Sequence, residues 1–272
     1  MNDRANSGPG VSVQREGHLT IVTLARPEVM NVLRSTEQRE LARIFDDFDA
    51  DPDQWIAILT GKGQRAFCAG HDLKQEISGG DRGIGDSGFG GLTRRFDRVK
   101  PVIAAVNGPA LGGGFEMALA CDLIIASENA WFSLPEPRIG FAALAGGIVR
   151  LVRSIGEKRA MDIILSTRRV SAHEARELGF VNQVVPHEEL AAAARTMADT
   201  ILMSSPTSIQ ASIAAARHDA GGELRHAILT AWDLPVVKAM QSSPNFLEGP
   251  RAFAERRTPL WVAAGIDCDP DA

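Results

Sequence analysis

The sequence predicts an α/β protein with an alternating strand–helix core followed by a helical C-terminal region. Apolar runs of strand length alternate with helical repeats as far as residue 185. After Pro186 the patterns are helical to Arg257. We therefore expect a disordered N-terminus over residues 1–10, a core over 11–200 and a helical region over 201–272.

The first predicted elements are two strands and a helix. Residues 11–14 and 18–24 have the pattern of two strands joined by a turn. Ser35 and Gln38 have the spacing of a capping box, which predicts Ser35 as the N-cap of a helix. Its apolar face would consist of Leu41, Ile44, Phe45 and Phe48.

The middle of the chain predicts short strands and a glycine-rich loop. Residues 55–59 predict a buried strand, and residues 65–68 predict a short second one. Residues 79–91 contain seven glycines, so we expect a mobile loop or lid there. The remaining predicted elements are strands over 101–106, 122–126 and 181–185, and helices over 115–120, 145–154, 157–165, after Ser171, and over 188–203, 206–219, 223–240 and 245–257.

Composition and charge exclude several classes of protein. The net charge of −5 provides no general positive field, so we expect neither a nucleic-acid nor a membrane partner. Cys68, Cys121 and Cys268 are too few and too scattered for a disulfide framework or a zinc site. A reduced, cytoplasmic location is expected, with no metal. The N-terminus lacks the apolar stretch of a secretory signal.

The most informative segment is the triple glycine Gly112-Gly113-Gly114 followed by Glu116. It lies between a predicted strand and a predicted helix. Glycine allows the backbone to approach a ligand closely, and a helix start supplies N–H groups without partners in the helix. A carboxylate in the first turn can then face the same ligand. This pattern is suited to stabilising an oxyanion and moving a proton beside it.

Four blocks along nearly the whole chain match a known family. They are Arg26-Pro27 with Asn31-Val32-Leu33; Ala66-Phe67-Cys68-Ala69-Gly70-His71-Asp72-Leu73; Asn107-Gly108-Pro109-Ala110-Leu111-Gly112-Gly113-Gly114-Phe115-Glu116 with Cys121-Asp122; and Leu134-Pro135-Glu136 with Gly140 and Gly146-Gly147. Together these blocks resemble the enoyl-CoA hydratase/isomerase family, the crotonase superfamily. A weaker match covers residues 253–257.

The resemblance implies a crotonase-like spiral of ββα units with a C-terminal helical region that packs between subunits. It also implies a homotrimer or a dimer of trimers. The implied substrate is an acyl-CoA thioester, whose oxygen would be held by the backbone N–H groups of His71 and Gly113. No separate cofactor is expected, because coenzyme A is part of the substrate.

The resemblance further implies two catalytic carboxylates, Glu116 and Glu136. Glu116 would orient and deprotonate the water, and Glu136 would share that water and deliver a proton to the α-carbon. Each has a simpler interpretation: Glu116 could only favour the helix dipole, and Glu136 could be a turn residue. The implied coenzyme A contacts are Met30, Val32, Ala69, Gly70, Asp72, Leu73, Lys74 and Arg256. Asp72 could instead cap a helix, and Lys74 could be solvated.

One segment departs from the family pattern. Residues 141–145 are Phe-Ala-Ala-Leu-Ala, and Leu144 takes the place of a glycine whose N–H often helps to hold the water. The water geometry or the accepted acyl group could therefore differ from those of a short-chain hydratase.

The sequence favours reversible hydration of a trans-2-enoyl-CoA to a 3-hydroxyacyl-CoA. Dehydration of carnitinyl-CoA, double-bond isomerisation and thioester hydrolysis remain alternatives within the family. A non-catalytic member that binds RNA or a partner protein is the alternative from another class. The acidic charge and the presence of both glutamates count against it.

Overall fold

The computed structural model describes residues 10–72, 83–218, 230 and 233–263. Within these ranges it contains a six-stranded and a three-stranded sheet. The strands are β1 (Val11–Glu16), β2 (Leu19–Leu24), β3 (Ile56–Gly61), β4 (Val102–Val106), β5 (Ala110–Leu111), β6 (Leu123–Ser127), β7 (Trp131–Ser133), β8 (Val170–Ser171) and β9 (Gln183–Val185).

The larger sheet has the order β1-β2-β3-β4-β6-β9. Strands β1 and β2 form an antiparallel pair, and each later neighbour is parallel. The smaller sheet has the order β5-β7-β8. The α/β fold class predicted from the sequence is confirmed, since strands and helices alternate along the chain and most neighbouring strands of the larger sheet are parallel.

The helices follow the predicted order with shifted ends. They are α1 (Ser35–Ala50), α2 (Gly113–Ala120), α3 (Gly147–Ile155), α4 (Glu157–Ser166), α5 (Ala172–Leu178), α6 (Leu190–Leu202), α7 (Pro206–Arg217), α8 (Pro235–Ser242) and α9 (Pro244–Glu255). Part of the helix predicted over 223–240 lies outside the described residues. Ser171 caps α5 as predicted, because its side chain accepts a hydrogen bond from the N–H of Glu174.

Successive side chains of a strand point to opposite faces of the larger sheet, and this divides the buried residues into two clusters, one on each face. In β3, Ala57 and Leu59 belong to one buried cluster, whereas Ile56 and Ile58 belong to the other. The first cluster includes the apolar face predicted for α1. The second includes three buried residues of α6, namely Leu190, Ala194 and Ala198.

An aromatic cluster attaches α2 to the smaller sheet. Phe115 of α2 lies 5.0 Å from Phe132 of β7 and 5.3 Å from Phe180, measured between ring centroids. Phe115 and Phe132 have no solvent exposure. Such pairs add packing energy beyond the apolar area that they bury. They fix α2, whose first turn carries the residues singled out by the sequence.

Two sequence predictions of local structure are wrong. Residues 65–68 form no strand; Cys68 makes only an isolated bridge to Ala110. The cap of α1 is Arg34 rather than Ser35, because Glu37 reaches back to accept from the N–H of Arg34 at 2.9 Å. Gln38 is buried instead, and its Oε1 accepts from the N–H of Gly90 at 2.6 Å.

The segments predicted to be disordered or mobile are described only in part. Residues 1–9 and 79–82 lie outside the described residues. Gly10 is buried, and its carbonyl accepts from the N–H of Ala25 at 2.9 Å. Residues 83–91 are attached to the core through Gly90 and through Gly91, where a side chain would overlap the backbone of Ala42 in α1. This part of the glycine-rich segment therefore packs closely against α1.

We predict that Gly114→Ala destabilises the protein. In a helix interior alanine is usually more stable than glycine. Here, however, a Cβ at residue 114 would overlap the backbone carbonyl of Cys68. Overpacking against backbone is expected to lower the free energy of unfolding by about 1–3 kcal/mol. Urea denaturation measures the effect. Gly85→Ala is the matched control, because a Cβ there meets nothing within 4 Å. Equal stability of both variants would contradict the close approach.

Candidate active site

The site begins with two backbone segments that lie side by side, residues 68–72 and 110–113. The N–H of Leu111 donates to the carbonyl of Cys68 at 2.9 Å. Further along, a Cβ built on Gly70 would lie 3.2 Å from the backbone nitrogen of Gly113. The backbone of His71, the next residue, is therefore next to the start of α2. Both residues line the same cavity.

The turn into α2 depends on glycine at two positions. Gly112 has φ +52° and ψ −124°, a conformation that side chains disfavour. Gly113 is the first residue of α2, where an N–H has no acceptor within the helix. A Cβ on Gly113 would lie 2.5 Å from the ring of Phe89. These glycines allow the aromatic ring and the N-terminus of the helix to approach each other closely.

Glu116 lies in the first turn of α2 and is buried, with 4% of its surface exposed. Its Oε1 accepts from the N–H of Gly147, the first residue of α3, at 2.9 Å. Burial raises the pKa of Glu116 to about 7, against the lowering effect of the Gly147 N–H; the charge of Glu136 raises it further. The carboxyl group can therefore exchange a proton near neutral pH.

Glu136 begins a short 3-10 helix, Glu136–Ile139, shortly after β7. A Cβ built on Gly112 would lie 2.8 Å from its Oε1, so the carboxyl group packs directly over the turn into α2. Its Oε2 is buried and has no hydrogen-bond partner in the described part of the chain. Burial raises the pKa of Glu136 above its ordinary value. An unpaired buried oxygen here is available to a ligand.

The two glutamates face a common cavity of about 620 Å³. Its walls are largely apolar, with few polar groups, as is usual for sites that bind organic ligands. The cavity is lined by Val32, Ala69, Gly70, His71, Asp72, Ile84, Phe89, Arg94, Gly112, Gly113, Glu116, Pro135, Glu136, Ile139, Phe141, Ala142, Leu144 and Ala145. Eight residues assigned to the site from the sequence are among them: Val32, Ala69, Gly70, His71, Asp72, Gly113, Glu116 and Glu136.

The structure does not bring every sequence-assigned residue to this cavity. Met30 has a left-handed backbone and is not among the residues that line the cavity. Its carbonyl accepts from the N–H of Ala69, a lining residue, at 3.0 Å. Arg256 lines a separate cavity together with Met203 and Trp261. Leu73 and Lys74 lie outside the described residues.

The N–H of Leu144 has a different partner from the one that the family pattern suggests. It donates to the carbonyl of Ala142 at 2.8 Å, within the loop. The side chain of Leu144 is 79% exposed and lies at the cavity. The Gly147 N–H instead holds the carboxyl group of Glu116. Leu144 therefore lines the cavity while its N–H is satisfied within the loop.

Sequence reasoning missed the cavity residues Ile84, Phe89 and Arg94. Ile84 and Phe89 belong to the glycine-rich segment 79–91, which predicted a loop, and Arg94 follows that segment. Phe89 could have been suspected, since it is an aromatic residue among glycines and polar residues. Arg94 gave no such signal, because surface arginines are common.

Metal-binding clusters and membrane-spanning helices are both absent from the described ranges. These residues contain no group of three or more His, Cys, Asp or Glu side chains that could hold a metal ion. They also contain no helix with the length and hydropathy needed to cross a membrane.

Comparisons with known proteins agree with this geometry. Residues 14–264 match the family Enoyl-CoA hydratase/isomerase. A mevalonyl-coenzyme A hydratase from Aspergillus fumigatus is 41% identical over 90% of this chain and 91% of its own. A carnitinyl-CoA dehydratase from Proteus mirabilis is 40% identical over 90% of this chain and 95% of its own.

Solved structures have the same fold. An enoyl-CoA hydratase from Mycobacterium marinum has a TM-score of 0.88 and 35% identity, covering 93% of this chain and 99% of its own. A carnitinyl-CoA hydratase from Mycobacterium avium has a TM-score of 0.75 and 36% identity, covering 94% and 99%. The matched family model, together with relatives that are hydratases or dehydratases of coenzyme A esters, leads to one conclusion: the chain is an enzyme of the enoyl-CoA hydratase/isomerase family.

Proposed function

We propose that the protein catalyses the reversible addition of water to a trans-2-enoyl-CoA, giving a 3-hydroxyacyl-CoA. The observation that carries the proposal is that Glu116 and Glu136 both line one cavity beside Gly112 and Gly113. Water addition needs proton transfer at two carbons, and two carboxyl groups at one site can divide that work.

The thioester carbonyl would accept hydrogen bonds from the backbone N–H groups of His71 and Gly113. Negative charge builds on this oxygen when water attacks the conjugated double bond. Donors aimed at that charge stabilise the transition state more than the bound substrate. Loss of one such donor typically costs about 3 kcal/mol of transition-state stabilisation. The donors here belong to the main chain, so the imidazole of His71 is not required for this step.

The proton balance follows from the two carboxyl groups. Glu116 takes a proton from the attacking water, whose oxygen bonds to the β-carbon. Glu136 gives a proton to the α-carbon as the electron pair of the double bond forms the new C–H bond. The net change is the addition of one water molecule. A proton transfer from Glu116 to Glu136 restores the starting state, and the two carboxyl groups are electrostatically coupled, since the charge of Glu136 raises the pKa of Glu116.

The relatives support water addition or elimination over the other family reactions. The mevalonyl-CoA enzyme is a hydratase, and the carnitinyl-CoA enzyme is a dehydratase. Elimination of water from a substituted 3-hydroxyacyl-CoA is the same chemistry in reverse. It is therefore the second candidate, and the substituents of the acyl group distinguish it from simple enoyl-CoA hydration.

Assembly as a homotrimer or a dimer of trimers is part of the same proposal. The C-terminal segment leaves apolar side chains exposed, including Phe246 at 47%, Leu247 at 57% and Leu260 at 75%. Such exposure on one segment is typical of a surface covered in an oligomer. Arg256 lies in this segment, so it would reach coenzyme A of a neighbouring subunit rather than that of its own.

The activity is tested by incubating the protein with crotonyl-CoA. We expect the absorbance of the conjugated enoyl thioester to fall and the product mass to increase by one water. Isomerisation would leave the mass unchanged, and hydrolysis would release free coenzyme A. Either result, or no reaction with crotonyl-CoA, with longer enoyl-CoA esters and with unsaturated carboxylated esters, would contradict the proposal.

Glu116→Gln and Glu136→Gln should each lower kcat by about 10²–10⁴-fold, because each removes one proton-transfer group. The glutamine side chains keep the shape of the site, so circular dichroism and melting temperature should show a retained fold. Glu188→Gln is the control, since Glu188 is exposed and lies outside the cavity. Wild-type rates in either cavity variant would remove the assignment.

The rate of hydration should depend on pH near neutrality. As the base, Glu116 must be ionised, and its pKa is raised to about 7. The value of kcat/KM should therefore increase with pH below about 7, and it should fall again where Glu136, the proton donor to the α-carbon, loses its proton. Glu116→Gln should abolish this rising limb. A wild-type profile that is flat over roughly pH 5 to 8, the interval in which a group with such a pKa titrates, would contradict the role of Glu116.

A further inference from the structure

Arg94 is the only arginine or lysine among the described residues that line the cavity. It follows Phe89 on the segment that packs against α1, and the proposed mechanism gives it no role. The other charged residues of the cavity are Asp72, Glu116 and Glu136. A single cation in a largely apolar cavity is a natural point of contact for an anionic part of a ligand.

The backbone of Arg94 is held in place by the rest of the chain, whereas its guanidinium is available to bind a ligand. Its backbone N–H donates to the carbonyl of Ser87 at 2.9 Å. Gly88, with φ +79°, leaves room for the aliphatic part of the Arg94 side chain, because a Cβ on Gly88 would lie 2.8 Å from Cγ of Arg94. The guanidinium has no hydrogen-bond or ion-pair partner within the described ranges. The side chain is exposed and therefore accessible to a ligand.

The neighbouring Arg95 shows the opposite arrangement. Its guanidinium binds Asp46 at 2.7 Å and Asp49 at 3.2 Å, and it also donates to the carbonyl of Ala42 at 2.7 Å. Arg95 therefore ties the segment to α1 and has a structural role. Of the two adjacent arginines, only Arg94 faces the cavity with its donors unused.

The location of Arg94 favours the acyl part of the substrate over coenzyme A, an assignment that rests on the proposed function. The thioester oxygen would lie between His71 and Gly113. Of the coenzyme A contacts implied by the family resemblance, those that line this cavity within the described residues are Val32, Ala69, Gly70 and Asp72. Arg94 lines the cavity from a different segment of the chain, shortly after Phe89, whose ring lies against Gly113.

We propose that Arg94 determines specificity by selecting an acyl group that carries a carboxylate remote from the thioester. A guanidinium can bind a carboxylate through two parallel hydrogen bonds, which are stronger than those between neutral groups. The same charge repels an acyl group that ends in a quaternary ammonium. By this reasoning the substrate differs in charge from that of a carnitinyl-CoA dehydratase, although the two chains are similar.

The test measures binding of saturated acyl-CoA esters, which cannot be hydrated, by isothermal titration calorimetry. Glutaryl-CoA carries the remote carboxylate, pentanoyl-CoA is the neutral counterpart, and γ-butyrobetainyl-CoA carries the ammonium. Wild-type protein should bind glutaryl-CoA about tenfold or more tightly than pentanoyl-CoA, the gain expected for a hydrogen-bonded charge pair. It should bind γ-butyrobetainyl-CoA the most weakly of the three.

Arg94→Gln should remove the preference for glutaryl-CoA, and Arg94→Lys should restore part of it. Arg159→Gln is the control, because Arg159 is exposed on α4 away from the cavity, and this variant should keep the wild-type ratio. An equal loss of affinity for all three esters in Arg94→Gln would assign Arg94 to the phosphates of coenzyme A and overturn the proposal. An unchanged ratio would also overturn it.

Failure of the proposed function gives a different result. In that case, wild-type protein would leave crotonyl-CoA and unsaturated carboxylated esters unhydrated, while the binding ratio for the saturated esters would still report on Arg94. The two proposals can therefore fail independently.

Discussion

The close approach of the 68–72 backbone to the start of α2 is the constraint on which the site depends. The hydrogen bond between Leu111 and Cys68 sets the two segments side by side, and glycine at 70, 113 and 114 leaves no side chain between them. Phe115 then holds α2 in place from the core. The site is therefore an extension of the packing of the core rather than an addition to its surface.

The same packing determines the electrostatics of the two carboxyl groups. Both glutamates lie where burial makes the ionised form less favourable, and their pKa values rise accordingly. Gly147 limits this effect at Glu116 by donating a hydrogen bond to the carboxyl group. At Glu136, Oε2 has no such donor in the described part of the chain. Two residues of one type thus have different surroundings, which would suit them to the different steps of proton transfer that we propose.

The sequence predicted those parts of the fold and site that local patterns determine. Repeating apolar residues located the long helices and the buried strands, and the triple glycine marked the start of α2. The strands β5, β7 and β8 were missed, because two or three residues carry no periodic signal. Ser35 was mistaken for the cap of α1, because the reach of Glu37 to Arg34 depends on a buried position that the sequence does not reveal. Arg94 was missed for a similar reason, since its place in the cavity depends on how a distant segment packs.

The donors that would hold the thioester belong to the main chain at His71 and Gly113, whereas the groups that would move protons are side chains. A point mutation can replace a carboxyl group in one step, but any substitution other than proline leaves the backbone N–H in place. Such a scaffold can evolve new reactions while it continues to bind the thioester carbonyl that its substrates share. Divergence within this architecture should therefore accumulate at the acids and along the walls of the cavity, and spare the turn that contains Gly112.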